Sequence, residues 1–147
     1  METLKKNCSG KSPTKAHFAL AKYKIPIITM NIDGLHSAAG TDYVLEIHGN
    51  VDKNNVVLYG QSINYADESI NLVYKCGSFC KSNNIDGILI IIGTSMQTQF
   101  ANYLAVIAEE AGLKVTFIND NADENVPKFL KSIDMDYQKI FLNELLI

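Results

Sequence analysis

Four short polar clusters each follow an apolar run: Asn31-Ile32-Asp33, His48-Gly49-Asn50, Gly93-Thr94-Ser95 and Asn119-Asp120. His48 is the leading candidate for chemistry. An imidazole titrates near neutral pH and can take a proton from a sugar hydroxyl or from a nucleophile. Gly49, directly after it, would let a substrate come close. Position alone also allows, and somewhat favours, a structural histidine held by hydrogen bonds. Asn31 and Asp33 could bond an amide or ribose hydroxyls, although an Asx-turn or a cap on Gly34–Ala38 is the simpler reading. Gly93-Thr94-Ser95 offers backbone N–H groups and two hydroxyls at a strand-to-helix turn, which suits a phosphate or an ordinary N-cap equally well. Neither Gly-x-x-x-x-Gly-Lys nor Gly-x-Gly-x-x-Gly occurs. Asn119 and Asp120 could hold a ribose, but the stretch to Asn125 also has ordinary turn composition. Cys76 and Cys80, four apart, can share a helix face. Two thiolates do not complete a tetrahedral zinc site, so no metal is expected. His17 and His36 read as packing or capping residues.

The elements that would position these groups alternate between strand and helix. Ser12 reads as an N-cap and Pro13 as the first residue of a helix reaching Tyr23. Ile25–Met30 has the β-branched, continuous character of a strand buried on both faces. Tyr43–Ile47 and Val56–Tyr59 read as further strands, and Ile63–Ser82 as a helix. Gly87–Ile92 is the most apolar strand and is expected to be central. A helix over Gln99–Ala111 ends at Gly112, and Lys114–Ile118 is the next strand. A short helix near Asn125–Lys131 and a last strand and helix between Tyr137 and Leu146 complete the series. This alternation implies an α/β fold, a parallel sheet with helices on both faces and right-handed crossovers. Ligands of such sheets sit outside the carboxyl ends of the strands, where all four polar clusters fall.

Composition narrows the function classes. The 147 residues are 47% hydrophobic, enough for one globular domain over 1–147 with a real core. A net charge of −3 argues against nucleic acid as the main partner. All 13 cationic side chains are lysine. Any phosphate site must therefore use lysine and backbone N–H groups in place of bidentate guanidinium. No apolar run is long enough to span a membrane, and the start lacks the apolar core of a secretory signal. Three cysteines disfavour a disulfide framework. A cytoplasmic protein is expected.

Taken in order, Pro13-Thr14-Lys15-Ala16-His17-Phe18-Ala19-Leu20, Ile28–His36, Ala39-Gly40, Val44–Asn50, Val56–Gly60, Gly93-Thr94-Ser95 and Ile118-Asn119 resemble the sirtuins, the NAD-dependent protein deacylases. The resemblance covers nearly the whole chain and implies a Rossmann-like sheet with NAD at its rim. In that family the acyl oxygen of a modified lysine attacks the nicotinamide ribose and expels nicotinamide. By match, His48 would be the general base. Asn31 and Asp33 would line the nicotinamide and ribose pocket. Gly93, Thr94 and Ser95 would contact phosphates or ribose, and Asn119 the adenosine ribose. Val57, Leu58, Tyr59 and Gly60 would bind an acyl-lysine peptide by strand addition.

Four departures accompany the match. The family's first strand, its Gly-Ala-Gly loop and its Gly-Ile-Pro-Asp-Phe-Arg stretch have no counterpart ahead of Pro13. Only Val51–Asn55 stands where the family inserts a four-cysteine zinc module, so no zinc and no zinc-binding small domain are expected. Met30 replaces a usual Gln, and a thioether cannot replace amide hydrogen bonds. Gln61 replaces a usual Glu, and Gln97-Thr98-Gln99-Phe100 replaces a usual Val-x-Pro. Two functions are compatible with this pattern: an NAD-dependent lysine deacylase, or a catalytically impaired relative that binds a nucleotide or a protein. The loss of a central strand would also expose an edge. A homo-oligomer or a partner covering that edge is therefore expected.

Overall fold

The computed structural model describes residues 2–8 and 10–119, and the backbone of 137–141. Asp120, the helix expected near Asn125–Lys131 and the one expected towards Leu146 lie outside the described residues. The order is α1 (Glu2–Cys8), α2 (Lys15–Lys22), β1 (Ile27–Thr29), α3 (Leu35–Ala38), β2 (Val44–Glu46), α4 (Ala66–Ser82), β3 (Ile88–Ile92), α5 (Gln99–Glu110), β4 (Lys114–Asn119) and β5 (Tyr137–Phe141). The chain divides into two compact units, Met1–Ser69 and Ile70–Ile147. All strand pairs are parallel, as in an α/β fold of Rossmann-like type. No described helix is long and apolar enough to cross a membrane.

In the first unit, β1 lies beside β2 with Ile27 opposite Val44 and Thr29 opposite Glu46. β1 is shorter than the sequence suggests. Pro26 has no N–H to donate, and beyond Thr29 the Asn31 N–H turns back onto the Thr29 hydroxyl at 3.1 Å. Leu45, Ile47 and Val51 are buried around this pair. The N-cap of α2 is Thr14, not Ser12. His17 decides this, because its Nδ1 accepts from the Thr14 N–H at 3.2 Å and lies 2.8 Å from the Thr14 hydroxyl. The imidazole thus stands in for the acidic or amide side chain of an ordinary capping box. Its ring also packs on His36 of α3, with centroids 4.6 Å apart. Val56–Tyr59 is not a strand. Val57 donates to the His48 carbonyl at 2.9 Å, but no described strand lies alongside, so the segment is extended chain without a ladder.

In the second unit the strand order is β3-β4-β5. Ile88 lies opposite Lys114, and Val115 opposite Tyr137. β4, not β3, is central here, with Val115, Thr116 and Phe117 buried. Among the described residues β3 pairs on one side only, and Ile88, Ile90 and Ile92 remain 55%, 46% and 51% exposed. The expected burial on both faces does not hold for β1 either, where only Thr29 is buried. An unbroken apolar run reports β preference and fixes neither burial of both faces nor lateral order. On α5, Leu104, Ala105, Ile107 and Ala108 form the buried stripe. Gly77 of α4 lies so close to the end of α5 that a Cβ there would stand 2.7 Å from the Ala111 Cβ.

Candidate functional site

The carboxyl ends of β1 and β2 open into a cavity of about 530 Å³ within the first unit. Asn31 and Asp33 line it from the loop after β1, His48 from the turn after β2, and Val57, Leu58 and Tyr59 from the extended segment that follows. Gly60 lines a smaller adjoining recess together with His48 and Gln61. Six of the expected site residues therefore share one cavity, and a seventh stands at its edge.

A buried polar network fixes the turn that carries His48. The Asn50 amide donates to Glu46 Oε1 at 2.6 Å, and the Lys53 ammonium donates to Glu46 Oε2 at 2.7 Å. Asn50 Oδ1 accepts from the Asp52 N–H at 2.9 Å, and the Asn50 N–H donates to Asn55 Oδ1 at 2.8 Å. Val51 N–H reaches the Ile32 carbonyl at 2.9 Å, tying this turn to the loop that carries Asn31 and Asp33. Gly49 has φ of +78°, and a Cβ there would run into the backbone of Asn55 and Val56. That close approach brings the Val56–Tyr59 segment against His48.

Local bonding separates the candidates. Asp33 Oδ1 accepts from the Leu35 N–H at 3.1 Å, so Asp33 forms the Asx-turn that its sequence context suggests. Its other carboxylate oxygen is left for the cavity. The His48 imidazole is half-buried on the cavity wall, and only the His48 backbone forms the hydrogen bonds described above. Leu58 and Tyr59 are exposed at the rim, Tyr59 fully so. The Leu58 N–H is held by Gln61 Oε1 at 2.7 Å, which gives the Gln61 departure a local role in shaping the turn.

Sequence reasoning missed one wall. Leu4 and Cys8 of α1, and Lys11 after it, line the same cavity. The only available signal was Leu4 and Cys8 at i, i+4 on a helix that buries no residue. Met30 lines the cavity as well, so the departure from Gln falls inside the site.

In the second unit, Gly93, Thr94 and Asn119 cluster at the carboxyl ends of β3 and β4. Gly93 N–H donates to the Ile118 carbonyl at 3.0 Å, and the Asn119 amide to the Thr94 carbonyl at 3.3 Å. The Thr94 hydroxyl accepts from the Met96 N–H at 3.2 Å, bending the chain towards α5. Ser95 lies within that bend. Among the described residues no group of three or more His, Cys, Asp or Glu could hold a metal ion. Cys8, Cys76 and Cys80 are free thiols.

The model of the Sir2 family matches residues 2–84, more than half of the chain. The chain belongs to the Sir2 family. It is 29% identical to the NAD-dependent protein deacylase 2 of Pyrobaculum aerophilum over 136 positions, covering 73% of this chain and 54% of the relative. It is 30% identical to the NAD-dependent protein deacetylase of Halalkalibacterium halodurans, covering 75% and 57%. This Sir2-family chain spans about half to three-fifths of the length of such curated relatives. Among solved structures, a Sir2 bound to an acetylated peptide superposes with a TM-score of 0.67 at 19% identity, covering 92% of this chain and 78% of that one. A Sir2 with a p53 peptide and NAD+ gives 0.65 at 20%, covering 87% and 73%. At these identities the likeness is one of fold.

Proposed function

We propose that this Sir2-family chain is an NAD-dependent protein lysine deacylase, an acyl-group transferase that works as a single sirtuin-like domain. The observation that carries the reading is the shared cavity: an imidazole, an amide and a carboxylate converge there beside an exposed, extended segment. NAD, when bound, supplies the ribose that accepts the acyl oxygen as nicotinamide leaves. The cavity fits one end of such a ligand. It offers the Asn31 side chain, the Asp33 oxygen not used by Leu35 and the His48 ring, in a volume typical of small-molecule sites. His48 acts as general base and takes a proton from a ribose hydroxyl. Asn31 and Asp33 orient the nicotinamide and ribose by hydrogen bonds. By family resemblance, Gly93, Thr94 and Ser95 serve phosphate or ribose, and Asn119 the adenosine ribose.

The acyl-lysine protein or peptide docks on Val57, Leu58, Tyr59 and Gly60. An extended segment with no described strand beside it can accept a peptide backbone as an added strand. The Val57 and Leu58 N–H groups bond within the chain, so main-chain affinity falls to the carbonyls and to the groups of Tyr59 and Gly60. On β3, which pairs on one side only among the described residues, the exposed isoleucines call for cover by a second copy or another protein, because an uncharged edge strand invites pairing.

Met30 favours a second reading, binding without turnover. Its thioether lines the cavity where an amide would hold a ligand. Nicotinamide release from NAD in the presence of an acetyl-lysine peptide separates the two. Release by the full chain that is lost in His48→Ala supports the deacylase. NAD binding without release leaves the binding module. The absence of NAD binding at millimolar concentration refutes both.

A further inference from the structure

From the cavity lining we infer that Lys11 is the residue that neutralises the pyrophosphate of a dinucleotide bound beside His48. The inference rests on the NAD reading above and adds a residue just ahead of the Pro13–Leu20 block. A dinucleotide whose nicotinamide end enters this cavity brings two phosphate charges to its mouth, and the cavity wall already holds the Asp33 carboxylate. Among the described residues, Lys11 is the one lysine on its wall. The chain has no arginine, so no guanidinium can take this role.

Lys11 is also available. The ion pairs among the described residues are Lys53 with Glu46 and Lys114 with Asp86, and Lys11 belongs to neither. It is exposed on a loop immediately after α1. Leu4 and Cys8 of α1 line the same cavity, and α1 buries no residue elsewhere. Leu4, Cys8 and Lys11 thus form one wall of the cavity. A flexible ammonium on a long stem can follow a phosphate without fixed bidentate geometry.

The test is calorimetric titration of the full chain and of Lys11→Ala and Lys11→Arg. Two ligands are used: NAD, and nicotinamide riboside, which lacks the pyrophosphate. Loss of one charge-assisted hydrogen bond predicts NAD binding about tenfold weaker in Lys11→Ala. Nicotinamide riboside binding should not change, and Lys11→Arg should retain most of the NAD affinity. The NAD affinity of the parent chain should fall with salt more steeply than that of Lys11→Ala. Unchanged NAD binding in Lys11→Ala, or an equal loss for both ligands, overturns the assignment while leaving the NAD reading intact. A parent chain that binds neither ligand overturns both. Lys11 is exposed, so its replacement should leave the thermal midpoint of the unliganded chain unchanged.

Discussion

Replacing Gly49 by alanine should damage the site more than any other single methyl group in the first unit. Gly49 has φ of +78°, and alanine in the left-handed region costs about 1–2 kcal/mol. Space adds a second cost. The new Cβ would lie 2.7 Å from the Asn55 carbonyl carbon and 2.9 Å from the Val56 Cα, both backbone atoms. The Asn55 carbonyl oxygen would lie closer still, so the Asn55–Val56 segment must retreat by more than the ~0.7 Å that the carbonyl carbon alone requires to reach ordinary contact. That retreat lengthens two bonds, Val57 N–H to the His48 carbonyl at 2.9 Å and Asn55 N–H to the Asn50 carbonyl at 3.4 Å. At about 0.5–1.5 kcal/mol each, with the backbone strain, the expected loss is about 2–5 kcal/mol. Gly40 is the internal control, because its φ is +87° and nothing lies within 4 Å of a Cβ there. Gly40→Ala should therefore cost only the strain, about 1–2 kcal/mol. Urea unfolding of both variants gives the two values. The ligand assay should show Gly49→Ala losing peptide binding, since Val57–Tyr59 move away from His48. Equal destabilisation in the two variants would refute the close-approach argument.

Other outcomes follow from the same geometry. Asn50→Ala removes a buried bond to the Glu46 carboxylate and one from the Asp52 N–H, and should cost about 2–4 kcal/mol by urea titration. His48→Ala should keep the unfolding midpoint within the small range of substitutions that break no internal hydrogen bond, yet abolish nicotinamide release. Burial, and then the neighbouring His17, hold the His36 pKa below 6.5. The unfolded chain therefore binds more protons below pH 6.5 than the folded chain. The His36 contribution is complete above pH 6.5 and is lost as the pH falls from there towards its lowered folded value. The urea midpoint should drop on acidification through that window, and His36→Leu should flatten the slope. Burial, and then Cys80, raise the Cys76 thiol pKa, so Cys76 should react with iodoacetamide more slowly at neutral pH than a free thiol.

The sequence displayed the fold where patterns are local and hid it where neighbours decide. Apolar, β-branched runs located β1 to β4, although burial does not follow: β1 buries only Thr29, and β3 leaves Ile88, Ile90 and Ile92 about half exposed. Gly112 marked the end of α5 through its place after a periodic helix. Lateral order did not show. Ile88–Ile92 is more apolar than Lys114–Asn119, yet β4 holds the middle of its described sheet, because a strand's place depends on its partners and not on its own residues. Val56–Tyr59 has β-branched composition but no described strand beside it. Composition reports the backbone conformation that a segment prefers, and a ladder needs a second chain segment. The N-cap of α2 moved to Thr14 because an imidazole three residues on can take the place of a carboxylate, a substitution outside the usual capping pattern.

The candidate site divides along the same line. His48, Asn31 and Asp33 were legible because each ends an apolar run, and the ends of parallel strands converge on one rim. Asp33 shows why a structural and a functional reading need not exclude each other. One oxygen caps Leu35, and the same residue lines the cavity. The wall from Leu4, Cys8 and Lys11 was not legible, since a seven-residue helix with no buried residue leaves no periodic trace beyond one i, i+4 pair. That wall separates the two functional readings in physical terms. Positioning supplies much of an enzyme's barrier reduction, and here one wall of the cavity stands on a short helix that buries no residue and on the loop after it. If α1 holds its place only when ligand is bound, turnover should be limited by assembly of the cavity and not by His48. Nicotinamide release would then rise with NAD concentration well beyond the point at which the peptide saturates.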